Sequence, residues 1–123
     1  SGKGDILNIR ANYGTGILSS LFGAKLFFME HKDDTLPTTE PLLESLDAVK
    51  ALLAKGAPDM RAGFGATVLD TTAFFLSKLK PYPKVGRHIR IYHPDIQGPA
   101  DICELLCGSN FFLFAGKHVF KLV

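Results

Sequence analysis

The chain has 123 residues, 46% hydrophobic and 21% charged, with a formal net charge of +2. That composition is globular and core-forming, and not that of a disordered chain. The small charge gives no reason to expect nucleic acid or an anionic membrane as partner, and no apolar run approaches the ~20 residues of a membrane span.

In chain order, residues 5–11 (DILNIRA) alternate apolar and polar, which predicts a short strand. Asn12-Tyr-Gly-Thr-Gly16 breaks it, and residues 17–22 form an apolar cluster closed by Gly23, the pattern of a short helix. Residues 24–29 (AKLFFM) predict a second strand, and the proline-containing polar stretch 31–41 predicts a loop. Residues 45–55 carry Leu46, Val49, Leu52 and Leu53 at helical spacing. Ser45 is placed to cap the start, Asp47 lies in the first turn, and Lys55 and Gly56 mark the end. Residues 66–79 predict a longer helix with Val68, Leu69, Thr72, Phe75, Leu76 and Leu79 along one side, stopped by Pro81-Tyr-Pro83. Residues 89–92 predict a third strand. Pro99 suits the first position of a helix running to about Cys107, before Gly108. The apolar tail 111–123 is left unassigned.

This order of strand, helix, strand, two helices, strand, helix argues for βα units on a parallel sheet, in one α/β domain spanning residues 1–123. In such folds ligands bind beyond the carboxyl ends of strands. Both strand-to-helix turns are polar there. The first holds Arg10, Asn12 and Tyr13; the second holds His93, Asp95 and Gln97. These six are the candidate substrate-binding residues; no catalytic residue is assigned. Each also has a plain structural role open to it. His93 can bond backbone at a strand end, Asp95 can cap, Gln97 can satisfy a loop carbonyl, and Arg10 can pair within the sheet.

Gly14-x-Gly16 lacks the third glycine of a dinucleotide fingerprint, and Gly63-x-Gly65 follows no strand, so it is read as a flexible approach to a helix. Lys78, Lys80, Lys84, Arg87 and Arg90 form a basic run, read as a solvated helix end and loop in preference to an anion or nucleic-acid site. Cys103 and Cys107 sit four apart in an apolar stretch. They are read as two small buried hydrophobes, neither bridged nor metal-bound, and as reduced thiols they suit a cytoplasmic protein.

Four segments, NIRANYGTGILSSLFGAKL, DTLPTTEPL, PDMRAGFGATVLDTTAFF and IYHPDIQGPADICELLCGS, resemble the central part of the uroporphyrinogen decarboxylase-like superfamily over about residues 5–110. The likeness is to its methyltransferase-like branch. Its most specific element is Gln97-Gly98-Pro99, where the family places a Gly-Pro turn after a barrel strand and before a helix. The resemblance implies a (β/α)8 barrel. Such a barrel takes about 250 residues, so this chain would be a partial one, with about three parallel strands and flanking helices. The decarboxylase's aspartate after an early strand has no counterpart in Arg10-Ala-Asn-Tyr-Gly14, so the implied parent is a methyltransferase more than a decarboxylase. The family's methyltransferases use zinc and a corrinoid, with zinc ligands from the carboxyl half of the barrel. No cofactor is therefore expected in this segment, and zinc and corrinoid belong to the parent alone. The parent would bind a small molecule; the isolated chain would be inactive and would self-associate to cover its open sheet. The alternative is a small non-enzymatic α/β module that binds a partner or itself.

Overall fold

The computed structural model describes residues 7–27 and 38–119. The start of the first expected strand, the end of the second, most of the expected 31–41 loop and the last four residues of the tail lie outside the described residues. The described chain mixes helix and strand and is mostly helical. Its strands are β1 (Asn8–Ile9), β2 (Leu26–Phe27), β3 (Thr38–Thr39) and β4 (Arg90–Ile91). Its helices are α1 (Ile17–Leu21), α2 (Leu46–Ala54), α3 (Gly65–Leu79), α4 (Pro83–Gly86), α5 (Pro99–Cys107) and α6 (Asn110–Val119).

A parallel pair organises the candidate site. β1 lies beside β4 with Asn8 opposite Arg90 and Ile9 opposite Ile91. The Arg90 amide donates to the Leu7 carbonyl at 3.0 Å, and the Tyr92 amide to that of Ile9 at 2.8 Å. Alternation along a strand sends neighbouring side chains to opposite faces. One face carries Asn8, Arg10, Arg90 and Tyr92, and the other carries Ile9, Ala11 and Ile91.

The expected third parallel strand does not join this sheet. β2 pairs antiparallel with β3, Leu26 opposite Thr39 and Phe27 opposite Thr38. Among the described residues the parallel sheet has two strands. Its partner is Thr38–Thr39, a segment read as loop from its polarity. The same hairpin crowds Gly16, where an added Cβ would stand 2.6 Å from Leu26 Cδ2 and 2.7 Å from Thr39 Cγ2.

Two small apolar clusters hold the elements. Ala11, Ile17 and Val68 join β1, α1 and α3, with Tyr13 packed against them. Ala24, Leu43, Leu106 and Cys107 join the hairpin side to α5, backed by Phe22, Val49, Leu52, Ile102, Phe111 and Phe114. The Leu106 carbonyl accepts from both the Leu42 and Leu43 amides, at 2.7 and 2.8 Å, which ties the chain before α2 to α5.

The seam between α1 and α3 is closed by small polar residues. Ser19 and Ser20 are buried on α1, and their hydroxyls donate to the carbonyls of Gly16 (3.0 Å) and Ile17 (2.6 Å). Ser20 Oγ also accepts from the Phe64 amide at 3.0 Å, just before α3. Gly63, at φ +48°, and Gly65 lie where an added Cβ would run into the Ser20 and Met60 backbones. Gly63-x-Gly65 therefore serves close backbone approach, and not the flexibility expected from sequence.

The caps of α2 and α5 are local. Ser45 Oγ accepts from the Ala48 amide at 3.2 Å, and Gly56 follows α2 at φ +79°. Pro99 opens α5, and Asp101 Oδ2 reaches back to accept from the Gly98 amide at 3.1 Å. Two helices were not foreseen: α4, which starts at the very proline read as a stop, and α6, in the unassigned tail. No helix among the described residues is long and apolar enough to cross a membrane.

The outer faces are a different matter. The amphipathic helix α2 has no buried residue, and Leu53 is 74% exposed. On α3, Phe74 and Leu76 are 54% and 58% exposed, and on α6 Phe112 is 63% exposed. The apolar face of β4 is incompletely filled: Ile89, Ile91, Leu76 and Leu79 border a recess of about 760 Å³.

Candidate functional site at the carboxyl edge of the parallel pair

Parallel pairing sets the two polar turns side by side, because both leave the same edge of the sheet. Before the edge, Asn8, Arg10, Arg90 and Tyr92 line an open recess of about 400 Å³ on the polar strand face. Beyond it, Thr15 of the first turn and Gln97 of the second line another of about 400 Å³, with Thr39, Asp101, Glu104 and Ser109.

The six candidate residues divide by what they touch. Arg10 is exposed and lies in the strand-face recess. Asn12 is exposed in the turn. Tyr13, expected in the pocket wall, turns the other way. Its hydroxyl shares a 2.8 Å hydrogen bond with Thr71 Oγ1 on α3, and its ring lies 6.0 Å from that of Phe64. The cause is the apolar cluster of Ala11, Ile17 and Val68, which buries the ring and leaves the hydroxyl a partner on α3.

His93 is exposed, with Nδ1 2.7 Å from the Pro94 carbonyl oxygen. A carbonyl only accepts, so Nδ1 carries the proton, and in the neutral ring Nε2 keeps its lone pair. Its ring stands 4.1 Å from that of Tyr92. Gln97 Nε2 donates to Asp95 Oδ1 at 3.2 Å, so the second turn is braced by its own side chains. Asp95 does not cap α5; Asp101 does. Arg90 and Asn8 were not singled out for the site from sequence. The signal was present, since Arg90 and Tyr92 alternate with apolar Ile89 and Ile91.

Of the two cysteines expected to be buried, only Cys107 is; Cys103 stands on the exposed side of α5. Burial first, and Cys103 second, raise the Cys107 thiol pKa above its ordinary value. Among the described residues no three His, Cys, Asp or Glu side chains gather where a metal ion could be held. Comparison with known proteins finds no matching family model, no matching curated protein and no matching solved structure.

Proposed function

We propose that the chain is a segment of a uroporphyrinogen decarboxylase-like (β/α)8 barrel enzyme whose parent is a corrinoid- or zinc-dependent methyltransferase. The observation that carries this reading is the adjacency of two polar turns at the carboxyl ends of neighbouring parallel strands. That edge is where barrel enzymes bind their small molecules, and the apolar strand face turned toward helices is the outward face of a barrel wall. In this reading Arg10, Asn12, His93, Asp95 and Gln97 form one wall of a small-molecule pocket, and Tyr13 braces that wall through Thr71.

The described residues do not supply a zinc site: Cys107 sits in an apolar cluster, Cys103 is exposed, and no third ligand stands near. No step through zinc or a corrinoid is assigned to this chain, and alone it is inactive. Nucleic acid and membrane have no part in the reading. The basic run is divided, with Arg90 on the polar strand face and Lys80 and Arg87 beside the apolar recess of the opposite face. Reduced Cys103 and Cys107 support a cytoplasmic location.

The test is the reading frame on both sides of this segment. Further βα units with downstream His and Cys ligands support the methyltransferase parent; a frame without them contradicts it. Methyl transfer by the purified 123-residue chain would also overturn the reading.

A second reading is a non-enzymatic α/β module that associates with itself. Its support is the exposed apolar side chains of three helices, Leu53 of α2, Phe74 of α3 and Phe112 of α6.

A further inference from the structure

The recess on the polar strand face holds two guanidinium groups, and we propose that Arg10 and Arg90 bind a small organic dicarboxylate there. The proposal rests on the reading of this edge as a ligand site, and it does not depend on the family. Register brings the two residues together. Asn8 stands opposite Arg90, so Arg10, two residues on, is the diagonal neighbour of Arg90 on the same face. Strand spacing and rise put their Cα atoms about 8 Å apart. Two cations this close on one face repel unless an anion lies between them.

Among the described residues neither arginine has an ion pair or side-chain hydrogen bond, and no acid among them lines the recess. Arg61 shows the contrast, because Asp70 holds it at 2.8 Å on the outer surface. A guanidinium fork matches a carboxylate with two parallel hydrogen bonds, so two forks side by side match two carboxylates on a short linker. The Tyr92 ring, set against His93, gives the linker an apolar wall, and the Tyr92 hydroxyl and Asn8 amide complete the lining as uncharged polar groups.

The shared chemistry is a small oxyanion, so the test must separate carboxylate from phosphate. The isotopically labelled wild-type chain is titrated with glutarate, acetate and inorganic phosphate and followed by NMR. The expected result is saturable shifts at residues 8–12 and 90–93 with glutarate, and binding about tenfold weaker or worse with acetate and phosphate. Arg10→Gln and Arg90→Gln each weaken glutarate binding about tenfold or more, whereas Lys84→Gln leaves it unchanged. Mapping on the wild-type chain needs no variant to fold. Shifts scattered over surface lysines, no saturation, or phosphate binding as tightly as glutarate would overturn the proposal. Glutarate binding together with a reading frame lacking barrel units would keep the site and remove the family, so the two failures are distinguishable.

Discussion

The α1–α3 seam and the outer faces of α2, α3 and α6 use similar apolar side chains to opposite ends. In the seam, glycines and serines bring two backbones together, every buried hydroxyl has a partner, and Val68 and Ile17 are covered. On the outer faces Leu53, Phe74, Leu76 and Phe112 are each more than half exposed. Helical periodicity says that a face is apolar; small residues at contact points decide whether a neighbour closes on it. The seam therefore anchors the first polar turn to α3, and the outer faces stay exposed among the described residues.

The largest effect should come from filling the seam. Gly63→Ala adds a Cβ against the Ser20 backbone at a positive φ, and it should cost about 3 kcal/mol in urea unfolding. A loss below about 0.5 kcal/mol would mean that the close approach does not hold the fold. Ser20→Ala leaves the partly buried Phe64 amide without its acceptor and should cost about 1 kcal/mol by the same measurement. Replacing Leu76 and Phe112 with lysine should change unfolding by no more than about 0.5 kcal/mol while weakening self-association. A large loss of stability there would erase the contrast between the two regions.

The smallest effect is a pH slope. The folded pKa of the Cys107 thiol is raised, so the folded state holds its proton where the unfolded chain has released it. Stability from this group is whole below the ordinary thiol pKa and is lost as pH rises from there through the raised folded value. Cys107→Ala should remove that alkaline decline, although it also trims the core; a slope that survives belongs to another group.

The sequence signals were strongest where structure is local. The cap at Ser45, the stop at Gly56 and the proline start of α5 all depend on residues within one turn, and they form as expected. Strand partnership is not local: β2 could not be assigned to the hairpin while Thr38–Thr39 read as loop. The site was legible as two polar turns, because turns at strand ends can be read one at a time. Tyr13's commitment to Thr71 and Arg90's place beside Arg10 were not legible. Each depends on what lies 58 or about 80 residues away once the chain is folded.

The contrast to test is between a closed seam beside the candidate site and outer faces that the proposed self-association would cover. Sedimentation velocity of the purified chain over a wide concentration range tests it most directly. The account predicts a sedimentation coefficient that rises with concentration, and less so when Leu76 and Phe112 are lysine. A single monomeric species at every concentration, with full helix content, would contradict it.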